Sequence, residues 1–167
     1  MSAQVSLMEM LDARERRVQH QQMLLQQYHK PLICFTMNIC GPVKDSPLIR
    51  RGFERGRQLL RQQFLRAKLT PIYQDVSREV TGCEAFYVLD ADPLAIKKFT
   101  TDVEDATPLG RLFDMDVICP DGRKVDREEL HLPGRRCLIC GGPAKVCSSR
   151  RVHTVAELQA KTTAILT

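Results

Sequence analysis

The chain has 167 residues, 43% of them hydrophobic and 27% charged, with a formal net charge of +5. That composition is of the soluble globular class, and the length fits one domain over residues 1–167. No apolar run approaches the roughly 20 residues needed to span a bilayer. Residues 1–17 (MSAQVSLMEMLDARERR) lack the basic and apolar regions of a secretory signal, so a cytoplasmic location is expected. Seven cysteines, an odd number, argue against a disulfide framework and for buried thiols or a metal site. The positive charge calls for an anionic partner. With three Tyr, six Phe and no Trp, a stacking platform for single-stranded nucleic acid is poorly supplied, and neither nucleic acid nor membrane is expected as a partner.

Residues 5–28 predict a helix whose stripe of Leu7, Leu11, Arg14, Val18, Gln21, Leu25 and Tyr28 follows the three-four spacing; Pro31 ends it. Residues 32–39 (LICFTMNI) predict a buried strand closed by Gly41-Pro42. Ser46-Pro47 is a cap followed by a first-turn proline, and the helix it opens runs to about residue 68 with Ile49, Phe53, Leu60 and Phe64 on one face. Residues 71–80 and 84–90 predict two strands around Thr81-Gly82. Asp92-Pro93 opens a helix to about Glu104, and the strand LFDMDVIC follows, turning at Asp121-Gly122 into a short hairpin partner. The order strand, helix, two strands, helix, strand is the split βαβ pattern. The expected fold is therefore α+β: a split βαβ-like sheet packed with helices, an N-terminal helix, an irregular Cys-rich segment over 133–153, and a terminal helix from Thr154 to Leu166.

Three constellations carry chemistry. In the strand at 112–119, Phe113, Met115 and Val117 should point into the core while Asp114 and Asp116 share the other face, about 7 Å apart. Two such carboxylates repel unless a cation joins them, and a magnesium ion with phosphate oxygens suits that geometry. The bland alternative is a wet strand face that happens to carry aspartates. Arg111 stands just before the pair and is placed to meet a carboxylate or a phosphate. The second constellation is the loop Gly41-Pro42-Val43-Lys44-Asp45-Ser46 before a helix N-terminus, where Lys44 adds a point charge; an ordinary capped turn is the simpler reading. The third is Cys137-x2-Cys140-x6-Cys147-x5-His153, a candidate zinc set, bracketed by Arg135, Arg136, Arg150 and Arg151, a basic patch for a polyphosphate or an acidic carrier. His20, His29 and His131 are expected at the surface.

The segments PLICFTMNICGPVKDSPLIRRGFERG (31–56), PLGRLFDMDV (108–117) and LPGRRCLICGGPAKVCSSRRVHTVAEL (132–158), in this order, resemble the holo-acyl-carrier-protein synthases of citrate lyase, formally apo-citrate lyase phosphoribosyl-dephospho-CoA transferases. The resemblance is weakest over about 68–100. It implies a nucleotidyltransferase that moves the prosthetic group of triphosphoribosyl-dephospho-CoA onto a serine of the apo citrate lyase acyl carrier subunit and releases diphosphate. It also implies, through a D-x-D pair in a similar synthase for malonate decarboxylase, that Asp114 and Asp116 match the catalytic carboxylates. On that reading Arg111, Lys44, Arg135, Arg136, Arg150 and Arg151 bind substrate or carrier. Two alternatives stand beside it: the equivalent synthase for malonate decarboxylase, and a non-enzymatic zinc-ribbon adaptor.

Overall fold

A computed structural model describes residues 2–167. Helix α1 (Leu7–Tyr28) leads to β1 (Leu32–Met37), α2 (Pro47–Arg66), β2 (Tyr73–Glu79), β3 (Gly82–Val88), α3 (Pro93–Ala106), β4 (Phe113–Ile118), α4 (Ala144–Arg150) and α5 (Val155–Leu166). The sheet is antiparallel throughout with strand order β2-β3-β1-β4. Two split βαβ units interleave to give this order: β3 fills the gap between β1 and β2, and β1 fills the gap between β3 and β4. The α+β architecture expected from the sequence is the one observed.

One sheet face carries α2 and α3. The predicted α2 face is buried at Ile49, Phe53, Leu60 and Phe64, and the last three pack in one cluster with Phe35, Tyr87, Phe113 and Met115. Phe35 stacks on Phe53 at 4.8 Å between ring centroids and meets Phe113 edge-on at 5.2 Å. Gly56 is needed for this approach, because a Cβ there would lie 2.5 Å from the Phe35 ring. Both expected helix starts are present: Ser46 Oγ accepts the Ile49 N–H, Asp92 Oδ1 accepts the Leu94 N–H, and proline follows each cap.

Helix α1 crosses the other face. Its C-terminal Leu24 and Leu25 seal Leu32, Val88 and Ile118, but Leu7, Leu11 and Val18 are exposed. The predicted stripe is thus buried only toward its end. The reason lies in the sheet beneath. Rows of residues across the strands are apolar at Leu32-Val88-Ile118 and become polar at Thr36-Glu84-Asp114, and earlier in α1 a neighbouring face is turned inward, with Ala13 buried and Arg17 and His20 half-buried. Polar contacts replace burial there: Arg17 Nε donates to Glu84 Oε1 at 3.0 Å. His20, expected at the surface, is half-buried, edge-on to Phe86 and 2.6 Å from Asp75 Oδ2.

Other departures are local. The hairpin partner after Asp121-Gly122 shrinks to a single bridge, Ile118 to Lys124. The segment 133–153, expected to be irregular, contains the short helix α4. The residues 108–112 before β4 form a 310 turn capped by Thr107, so the strand begins at Phe113 rather than Leu112 and Arg111 stands just before it, as expected.

Candidate active site and metal centre

The chemistry of β4 follows from its alternation. Phe113, Met115 and Val117 are buried in the core, whereas Asp114 is exposed and Asp116 half-buried on the face shared with α1. Lys124 Nζ, brought back by the bridge at Ile118, donates to Asp116 Oδ2 at 3.1 Å. Burial opposes the Lys124 charge, but Asp116 outweighs it and raises the lysine's pKa. Asp114 has no ion pair or side-chain hydrogen bond among the described residues. Its pKa is raised, first by the protein atoms crowding it and then by the charges of Asp116 and Glu104. Its surface nonetheless stays open to solvent, and the charges of Arg135 and Lys124 offset part of the rise.

A cleft of about 760 Å³ opens near the start of β4, and neither Asp114 nor Asp116 is among its lining residues. Asp114 faces Thr36 across the ladder; two residues on, Asn38 lines the cleft, as does Arg111 three residues before Asp114. Lys44 and Arg151 line it as well, together with Cys137, Cys147 and His153. Lys44 leans on the Ile39 carbonyl, and burial lowers its pKa. Burial and the nearby Arg135 and Arg127 charges lower that of Arg111, whose guanidinium donates to the Arg136 carbonyl. Three cations so placed give the cleft a positive lining.

The remaining basic candidates separate. Arg136, Arg150 and Arg151 are exposed. Arg135 is turned inward: its Nη2 donates to Gly110 O at 2.9 Å, its Nη1 donates to Phe113 O, and Nη1 lies 3.5 Å from Glu104 Oε2. The helix N-terminus after Lys44 is already satisfied, since Ser46 caps it and Asp45 is held bidentately by Arg50 at 2.7 and 2.8 Å.

The four predicted sulfur and nitrogen donors converge. One ligand atom each from Cys137, Cys140, Cys147 and His153 lies within 4.8 Å of every other. Gly141, at φ +72°, turns the chain so that its N–H donates to the Cys137 carbonyl, and the Cys137 N–H donates to Gly142 O. Helix α4 then returns Cys147, and the left-handed Arg151 delivers His153. The Gly142 N–H and the His153 imidazole draw the Cys140 thiol down to about 6, while Cys140 in turn pushes Cys147 up to about 11. His153 Nε2 is buried with no hydrogen-bond partner among the described residues, and its Nδ1 lies 3.6 Å from Glu157 Oε2. The cluster is thus a set of four donors that could hold a metal such as zinc. The other three buried cysteines, Cys34, Cys83 and Cys119, are core thiols; burial raises Cys34 to about 12.

Sequence reasoning missed Glu104. It is 3% exposed, and it accepts the Met115 N–H at 3.0 Å and Arg127 Nη2 at 2.8 Å. Nothing in TTDVEDA distinguishes it from Asp102 or Asp105 before the sheet edge is known.

The chain matches the profile of the apo-citrate lyase phosphoribosyl-dephospho-CoA transferases over residues 5–167. It is 35% identical over 162 residues to the protein of that name from Citrobacter koseri, covering 97% of this chain and 88% of the relative. To the Shigella boydii protein of the same name it is 34% identical with the same coverage. It is also 33% identical over 156 residues to Protein CitXG of Haemophilus influenzae, covering 93% of this chain but only 34%, about a third, of that longer relative. Neither the malonate decarboxylase reading nor the adaptor is favoured by these likenesses. Among the described residues, no helix is long and apolar enough to cross a membrane. By its sequence over nearly its whole length, the chain belongs to the apo-citrate lyase phosphoribosyl-dephospho-CoA transferase family.

Proposed function

We propose that this chain, as one cytoplasmic transferase domain over 1–167, moves the phosphoribosyl-dephospho-CoA group of triphosphoribosyl-dephospho-CoA onto a serine of the apo citrate lyase acyl carrier subunit. The observation that carries the reading is the pair Asp114 and Asp116 on one face of β4, with Arg111, three residues before Asp114, joining Lys44 and Arg151 in the lining of a cleft. The bond between the serine oxygen and the phosphorus nearest the ribose forms. The bond from that phosphorus to the diphosphate breaks, and the serine proton passes to a carboxylate of the pair or to water. Little covalent work falls to the protein, so placement of charge dominates.

The acid pair fits a magnesium ion: two carboxylates share a face and one of them lacks a cation of its own. Such an ion would neutralise the departing diphosphate. Whichever carboxylate of the pair is not engaged by such an ion is suited to receive the serine proton. Lys44, Arg111 and Arg151 meet phosphate oxygens, and the exposed Arg136 and Arg150 steer the acidic carrier. Arg135 contributes indirectly, through the strand.

Zinc is the metal we assign to Cys137, Cys140, Cys147 and His153. Tetrahedral zinc with Zn–S bonds of about 2.3 Å puts its sulfurs roughly 3.8 Å apart; Cys140 and Cys147 Sγ stand 3.5 Å apart. His153 Nε2 is the nitrogen left free for the metal, and the Glu157 carboxylate at Nδ1 is the outer partner such a histidine usually has. Four protein donors leave no open position, which marks a structural site.

The test is transfer of labelled prosthetic group to apo carriers of citrate lyase and of malonate decarboxylase, with and without Mg²⁺, alongside metal analysis. Label on the citrate lyase carrier, dependent on a divalent ion, is expected. Preferential labelling of the other carrier would move the chain to that substrate, and tight zinc with no transfer to either would favour the adaptor.

A further inference from the structure

We infer that Glu104 and Arg135 are positioning residues for the acid pair, clamping the outer edge of β4 so that Asp114 and Asp116 hold a fixed pitch. This inference rests on the proposed roles of those two aspartates.

The need for a clamp comes from topology. Strand β4 is at the end of the sheet, paired with β1 on one side only. Residues Phe113, Met115 and Val117 therefore turn their backbone groups outward, where a fifth strand would normally meet them. Three of these outward groups have partners of different kinds. Arg135 Nη1 donates to Phe113 O, Met115 N–H donates to Glu104 Oε2 at 3.0 Å, and Val125 N–H donates to Val117 O at 2.9 Å. The Met115 amide lies in the chain between the two aspartates. An unclamped edge would let this segment shift, and both carboxylates with it.

The clamp is built to be stiff. Glu104 is buried and paired by Arg127 at 2.8 Å and by Arg135 at 3.5 Å, so its two oxygens are fixed from several directions. Arg135 also holds Gly110 O, and Gly110 allows this because a Cβ there would lie 2.3 Å from the Glu104 carbonyl. A neutral hydrogen-bond pair would cap an edge strand at less desolvation cost than a buried carboxylate between two guanidinium groups. Arg135 stands two residues before Cys137, so the clamp also joins the metal module to the strand that carries the acids. A bidentate fork is required for this reach, since one side chain spans two carbonyls and a carboxylate.

Glu104→Gln and Arg135→Lys test the role. Glu104→Gln keeps an acceptor for Met115 and loses the charge; Arg135→Lys keeps the charge and loses the fork. Both are expected to keep zinc at one per chain and the donor KM within about twofold. In each, kcat should fall roughly 10- to 100-fold, the half-saturating Mg²⁺ concentration should rise about fivefold or more, and the Met115 amide should exchange faster. If Glu104→Gln fails to fold, Arg135→Lys decides the matter. Unchanged Mg²⁺ dependence and kcat, with only a lower melting temperature, would overturn the inference. A wild-type chain that transfers without any divalent ion would instead sink the magnesium reading. The clamp would then stand or fall on kcat and Met115 exchange.

Discussion

Replacing Asp114 by Asn should make the protein more stable and nearly inactive, and the two effects share one cause. Two ionised carboxylates two residues apart along a strand are separated by about 7 Å. Their repulsion is about 0.6 kcal/mol in water-like surroundings and about 2.4 kcal/mol at an effective dielectric of 20. Asp114 is open to solvent and Lys124 offsets part of the Asp116 charge, so the lower part of that range applies, about 1 kcal/mol. Removing the charge should raise the melting temperature by about 2–4 °C for a chain of this size. The gain should depend on pH. The carboxyl's folded pKa is raised, so its ionised form is disfavoured in the native state. The penalty is present above that raised value and is relieved as pH falls through it. The advantage of the Asn variant should therefore shrink on acidification. Transfer should drop by roughly 10³-fold, the equivalent of about 4 kcal/mol of transition-state stabilisation. Thermal denaturation at several pH values and a single-turnover transfer assay give both numbers. An Asn variant that is less stable than wild type, or that keeps transfer within about tenfold, would refute the reasoning.

Three further outcomes follow from the same geometry. Cys140→Ser should abolish stoichiometric zinc, measured by metal analysis, and increase hydrogen exchange across residues 137–153 well before the sheet is affected, since the four donors are the main crosslink of that segment. Lys44→Ala and Arg151→Ala should each raise the donor KM by about 5- to 50-fold with smaller changes in kcat, because each supplies charge to the cleft and stands apart from the acid pair. Gly56→Ala should cost about 1–3 kcal/mol, read as a lower denaturation midpoint, because its Cβ would fall 2.5 Å from the fully buried Phe35 ring.

The sequence carries the sheet well because the local signals agree. Cap-proline pairs at Ser46-Pro47 and Asp92-Pro93 place α2 and α3 to within a residue or two, and Thr154 places α5. The order of strands and helices then leaves few sheets to choose from, and the split βαβ one is observed. The alternation at 113–117 fixes which side chains leave the core. Periodicity fails at α1, whose apolar stripe continues past the apolar rows of the sheet beneath it; period reports what a helix offers and says nothing of what it meets. Charge is legible by count and not by engagement. Arg135 and Arg136 are neighbours in the same basic run, yet one is bonded to β4 and the other is exposed. Glu104 has no signature at all, because its importance arises from the open edge of a strand that only the completed fold defines. The metal donors were legible as a group because their spacing brings its own turn residues, Gly141 and Gly142, with it.

Manganese titration followed by electron paramagnetic resonance tests the acid pair most directly, with the zinc-loaded chain and the triphosphate donor present. One bound Mn²⁺ per chain is expected in the wild type, displaced by Mg²⁺ and lost in both Asp114→Asn and Asp116→Asn while zinc content stays constant. Undiminished Mn²⁺ binding in those two variants would place the ion elsewhere and remove the basis for the mechanism.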